Sequence, residues 1–119
     1  MSEKYLSVYL EHIQEAVAYA CSFIEGMTKE EFLKDKKTQK AVCMNLLIIG
    51  ETATKLIDQY PEFTALHPEL PWRNMRGMRN RIAHGYFNID FNVVWDTVQM
   101  ALPPLIQALQ NIPVNQDNR

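Results

Sequence analysis

The residues best able to do chemistry are gathered in one short stretch. Between Leu70 and Ile89 stand four arginines, Arg73, Arg76, Arg79 and Arg81, with no Asp or Glu among them. The other 99 residues hold eight bases and fourteen acids, so the stretch is a positive patch on an acidic chain. Arginine, with its planar fork of donors, suits bidentate recognition of phosphate. Periodicity places the stretch on a helix from about Trp72 to Gly85, where Arg76, Asn80 and His84 recur at four-residue steps and share a face. Arg79 lies one position back and leans toward the same edge. His84 falls in the last turn, where the helix dipole attracts an imidazolium that the neighbouring arginines repel. A titratable imidazole beside phosphate-binding arginines is equipment for phosphodiester chemistry. A solvated helix face pairing with acids on its neighbours explains the same composition equally well.

The rest of the chain must position these groups. At 119 residues there is room for one domain, and 47% hydrophobic with 22% charged residues is the balance of a globular protein rather than a disordered one. A net charge of −2 excludes a surface that coats nucleic acid by charge alone. No uninterrupted apolar run, Leu46 to Gly50 included, is nearly long enough for a membrane span. The N-terminus alternates charge and apolarity and carries no signal-peptide core, so the expected compartment is the cytoplasm. Cys21 and Cys43 show no CxxC or Cys/His spacing and read as buried, reduced thiols; no metal site is expected.

The spacing predicts a long helix over about Glu3–Glu25, with Leu6, Tyr9, Ile13, Ala16, Ala20, Phe23 and Met27 on its apolar face. Ser2 can cap its start and Gly26 can end it. Thr28 and Glu31 form a capping box for a short helix over Lys29–Lys34, and Asp35 caps a second long helix over about Lys36–Gln59. Its stripe of Val42, Leu46, Ile49, Ala53, Leu56 and Tyr60 is widened by Leu47 and Ile48, which marks a helix central in the bundle or buried against another subunit. Gly50 in its middle implies close approach of another helix backbone. Residues 61–71, with three prolines, read as a loop holding at most one helical turn. A last helix spans about Phe91–Asn111, kinked or split at Pro103-Pro104. The expected fold is all-α, an antiparallel bundle of four to five helices over residues 1–112, followed by a disordered tail over 113–119.

The run Arg79-Asn80-Arg81-Ile82-Ala83-His84-Gly85-Tyr86 resembles the R-x-x-x-x-H-x-Y motif of the HepT-like branch of the HEPN superfamily. Ile49-Gly50-Glu51, Pro71-Trp72-Arg73 and Val94-Trp95 with Pro103 resemble the same branch, in the same order, so the similarity covers nearly the whole chain. The resemblance implies a homodimeric helical bundle with motif helices facing each other. It also implies a metal-independent ribonuclease, needing no cofactor, that acts as the toxin of a two-gene toxin–antitoxin pair. Its antitoxin would be a minimal nucleotidyltransferase that transfers AMP to Tyr86; a higher assembly with it is left open. On this reading Arg79 and His84 are catalytic, Asn80 and Glu51 support them, and Arg73, Arg76 and Arg81 hold RNA phosphate.

The alternatives are a non-catalytic nucleotide- or partner-binding module associated with a nucleotidyltransferase, and a purely structural bundle. His12 and His67 read as structural or surface residues. Trp72 and Trp95 read as core anchors. Glu51 could orient Arg79 or simply form a structural ion pair.

Overall fold

The helix boundaries in the first half of the chain are set by local chemistry. A computed structural model describes residues 3–112, with side chains from Tyr5 onward. Ser2 as a cap and the tail over 113–119 therefore lie outside the described residues. Helix α1 (Glu3–Phe23) runs into a turn that closes at Gly26, whose φ of 80° is the left-handed conformation that favours glycine. Helix α2 (Lys29–Lys34) opens with the full capping box: Glu31 N–H donates to Thr28 Oγ1 at 3.1 Å, and Thr28 N–H donates to Glu31 Oε1 at 2.9 Å. Asp35 accepts from the Thr38 N–H at 3.0 Å and from its hydroxyl at 2.7 Å, starting α3 (Lys36–Gln59).

Beyond α3 the chain departs from the sequence expectation in two places. The proline-rich connection holds a formed helix, α4 (Pro61–Leu66), because Pro61 sits at its first turn, where a missing N–H costs nothing. Helix α5 (Trp72–Gly85) keeps its expected bounds. Gly85 has φ −139°, and the chain tightens into a 3-10 turn over Tyr86–Asn88. The last helix is split, but ahead of its prolines: α6 (Phe91–Asp96) runs through a π turn (Thr97–Ala101) into α7 (Leu102–Gln110). The Leu102 N–H reaches back five residues to the Thr97 carbonyl. Pro103 and Pro104 lack N–H groups and their rings crowd the carbonyls four residues earlier, and the wider turn relieves both problems.

Packing places α3 in the middle, against α1 on one side and α5 on the other, with α7 closing on α1 and α2 bridging α3 to α6. Contacts from Glu51 to Arg79 and from Asp58 to Arg76 rise along α3 as they fall along α5, so the two run antiparallel. Among the described residues there is no strand, and the all-α bundle stands. The core takes Ile13, Val17 and Ala20 from α1, Val42, Ala53 and Leu56 from α3, and Val98 and Leu109 from the C-terminal arm, all fully enclosed. Trp72 and Trp95 are buried, as expected.

The buried face of α1 keeps Ile13, Ala16 and Ala20 of the expected stripe and adds Leu10 and Val17, while Leu6, Tyr9 and Met27 are half-buried against the core. Phe23 alone of that stripe is exposed, stacked on Tyr19. On α3, Met44 and Ile48 remain exposed while Leu47 is half-buried. Cys43 is buried and Cys21 half-buried; both are free, and desolvation raises both thiols, which keeps them protonated and unreactive.

One residue sets the α3–α5 spacing. A Cβ added at Gly50 would overlap the Arg79 Cβ and lie 2.6 Å from the Met75 carbonyl oxygen. Both obstacles belong to the α5 backbone or its root and cannot swing away. Gly50→Ala should therefore push α5 outward and cost about 1–3 kcal/mol, read as a lower midpoint in urea unfolding. Asp35 gives a pH-dependent test. The Thr38 N–H and then its hydroxyl hold the Asp35 carboxyl below its ordinary range. Its contribution is present above the unfolded value near pH 4 and is lost as pH falls through the folded value. Asp35→Ala should lower the melting temperature at neutral pH, and its gap from wild type should shrink below about pH 4 in thermal melts.

Candidate active site

The α3–α5 seam is polar as well as close. Glu51, Thr54 and Asp58 stand at i, i+3 and i+7 on α3, one side of the helix, and meet Arg76 and Arg79 at i and i+3 on α5. Thr54 donates its hydroxyl proton to the Gly50 carbonyl at 2.8 Å. Its oxygen accepts from Arg79 Nη2 at 3.0 Å and meets Arg76 Nε at 3.5 Å. Arg76 also donates Nη2 to Asp58 Oδ1 at 2.8 Å. Glu51 Oε1 lies 3.1 Å from Arg79 Nε but off the line of the N–H. The contact is thus an ion pair without a hydrogen bond, and the buried Nε has no hydrogen-bond partner among the described residues. Both carboxylates are more than half exposed, so these pairs are worth about 0–1 kcal/mol each. They direct the arginines far more than they hold the fold.

The structure divides the expected site residues between two environments. Arg79 and Arg76 are half-buried against α3. Arg76 is committed to Asp58, which separates it from the face it was expected to share with Asn80 and His84. Asn80, His84, Arg73 and Arg81 are exposed. Arg73 and Arg81 make no ion pair among the described residues, so both are available to an anion. They flank a cleft of about 460 Å³ floored by Leu46, Ile49, Met78 and Leu102, between α5 and the π-turn region. His84 lines a second cleft of about 460 Å³ beside it, with Met78, Arg81, Ile82 and Val94. Five residues separate Arg79 from His84, about 140° around the helix. Within one chain they do not face the same way.

Tyr86 is 61% exposed, on the 3-10 turn just past the helix, with its ring 4.3 Å from that of Phe87, which is 86% exposed. It borders a smaller cleft of about 320 Å³ with Lys40, Cys43, Met44 and Leu47 from α3. His12 is exposed, and His67 is half-buried with Nδ1 3.1 Å from Glu69 Oε2. Glu69's own backbone N–H, then His67, lower its carboxyl. The His67 carbonyl accepts from Trp72 Nε1 at 3.0 Å, but among the described residues neither histidine side chain hydrogen-bonds to the run Arg79–Tyr86. Among the described residues no three His, Cys, Asp or Glu side chains are grouped to hold a metal ion.

Thr54 and Asp58 are the site residues that sequence reading passed over. A signal was present: an acceptor series at helical spacing on α3 matches a donor pair at helical spacing on α5. Nothing in the sequence says that those two faces meet.

Relatives give this geometry a family. The chain is 44% identical over 97 residues to a probable ribonuclease HepT of Thermococcus cleftensis, covering 82% of this chain and 86% of that one. It is 37% identical over 112 residues to a putative RNase of Methanocaldococcus jannaschii, covering 94% and 90%. A putative RNase of Caldanaerobacter subterraneus is 32% identical over 104 residues, covering 87% and 90%. No solved structure matches the chain. The Ribonuclease HepT-like family matches residues 13–112, from the middle of α1 to just beyond α7. That span takes in the Gly50 crossing and the whole α5 motif, and the chain belongs to the Ribonuclease HepT-like family of the HEPN superfamily.

Proposed function

We propose that the protein is a ribonuclease toxin, active as a homodimer and silenced by AMP attached to Tyr86 by a partner minimal nucleotidyltransferase. One observation carries the reading: α5 holds Arg79 against α3 while leaving His84 and Tyr86 open to solvent at its far end. Cleavage of RNA without metal needs a base for the ribose 2′-hydroxyl, an acid for the leaving 5′-oxygen and cations for the charge on the phosphorane. One chain offers one motif histidine. A two-fold pair would bring two His84 imidazoles and two Arg79 guanidiniums to one cleft, one imidazole taking a proton while the other gives one. Exposed Met44, which lines a cleft with Tyr86, and exposed Ile48 one turn along α3 would supply apolar surface for that pairing. Asn80, exposed among these groups, and Glu51, beside Arg79, would support the two catalytic residues. Arg73 and Arg81 would hold flanking phosphates, with a lesser part for Arg76 because Asp58 already occupies it.

The alternative is a non-catalytic module that docks a nucleotidyltransferase or its nucleotide through the unpaired arginines and the Tyr86–Phe87 pair. Cleavage separates the two readings. Purified, unmodified protein incubated with cellular RNA in EDTA should cut it, and His84→Ala or Arg79→Ala should lower the rate by about 10²–10⁴-fold with helical content kept. Full cleavage by folded His84→Ala overturns the mechanism. Sedimentation at micromolar concentration should show a dimer; a monomer counts against the shared site.

Control by AMP follows from charge and volume. A phosphodiester and adenosine on the exposed Tyr86 phenol would sit beside the motif arginines and occupy the place of RNA phosphate. Co-expression with the cognate nucleotidyltransferase should add AMP that maps to Tyr86 by mass, and Tyr86→Phe should escape modification and remain toxic. Neutralisation of Tyr86→Phe as complete as that of wild type would mean control by complex formation alone.

A further inference from the structure

We propose that Thr54 is the positioning residue for Arg79, using a hydroxyl whose direction is fixed by the α3 backbone. The inference rests on Arg79 being the catalytic arginine of the reading above, but its geometry stands independently. A threonine hydroxyl can both donate and accept, and a free one would rotate between roles. Here its single proton is spent on the Gly50 carbonyl at 2.8 Å, so the oxygen can present only lone pairs to α5. Arg79 Nη2 takes one at 3.0 Å.

The other candidate anchor is weaker. Glu51 supplies charge at 3.1 Å, yet the Nε–H is not aimed at it, and its side chain is 59% exposed and free to move. Thr54 is half-buried and sits one turn along α3 from Gly50, the residue that lets the root of Arg79 come so close. A glycine thus sets the distance, and its own carbonyl orients the hydroxyl that holds the guanidinium. Arg76 Nε reaches the same oxygen at 3.5 Å while Asp58 holds its far end, which keeps a second guanidinium from displacing the first. The hydrogen bond leaves the remaining Nη donors of Arg79 for a phosphate, with the fork already turned.

Thr52 provides a matched control. It lies on the same helix, is 6% exposed, and donates its hydroxyl to the Ile48 carbonyl at 2.7 Å, but among the described residues it accepts from no arginine. Thr54→Val keeps the shape and removes the hydroxyl; Thr54→Ser restores it; Thr52→Val removes the equivalent bond elsewhere. Two measurements on the full chain decide the matter. In RNA cleavage, Thr54→Val should lower kcat by about 10- to 100-fold with little change in KM, Thr54→Ser should recover most of the loss, and Thr52→Val should behave as wild type. In proton–nitrogen NMR, the buried Arg79 Nε–H, assigned by its disappearance in Arg79→Ala, should exchange slowly with water in wild type and Thr54→Ser and rapidly in Thr54→Val. An unchanged Nε–H signal in folded Thr54→Val overturns the proposal, as does an equal loss of kcat in Thr52→Val. If the wild-type protein cuts no RNA, the ribonuclease reading fails, and the NMR comparison still accepts or rejects the anchor.

Discussion

The missing Cβ of Gly50 is the constraint on which the functional half of the molecule depends. Any other residue there would meet the Arg79 Cβ and the Met75 carbonyl, and α5 would have to stand away from α3. At the observed separation a short side chain such as Thr54 can reach a guanidinium directly, without a bridging water. A glycine inside a helix costs about 1 kcal/mol relative to alanine, so close contact must return more than that. Part of the return is apolar: Met75 and Ile82 of α5 are buried in the core that Leu46 and Ile49 of α3 also enter. The rest is positional, since the polar seam beside this core contributes little stability but gives Arg79 and Arg76 defined partners.

The opposite flank of α5 is built on a different principle. The C-terminal arm packs on α1 through α7 and does not close onto this flank. Clefts of about 460 Å³ remain, with apolar floors and with Arg73, Arg81 and His84 at their edges. Helix α5 therefore has one side committed to α3 and one side open. Arg76 and Arg79 lie on the first; Arg73, Arg81 and His84 are exposed on the second. This division explains why four arginines drawn from one acid-free stretch have different fates, with only two of them neutralised by carboxylates on α3.

Much of this was legible in the chain before any tertiary contact was known. The ends of α2 and α3 follow from Thr28, Glu31 and Asp35, whose capping bonds span three residues, and the left-handed Gly26 from the end of a periodic run. The limits of α5 and the need for a break near Pro103 follow from steric rules that operate within a turn or two. The motif run from Arg79 to Tyr86 and the close approach at Gly50 were readable for the same reason: each is a property of residue type and spacing.

What sequence alone determined, then, is the set of long helices, the family to which they belong and the place of the Arg79–Tyr86 run along one of them. Tertiary structure decided how the periodic face of α1 is turned, enclosing Leu10 and Val17 and leaving Phe23 exposed, because only the neighbours of α1 determine which edge of that face meets the core. It decided that Arg76 turns to Asp58, and that Thr54 is an acceptor for Arg79, through contacts between residues 18 to 25 positions apart in the chain. Helical periodicity repeats every 3.6 residues and fixes a face without naming its partner. The partner is chosen by how whole helices pack, and here that choice turned on the one position where two backbones can nearly touch.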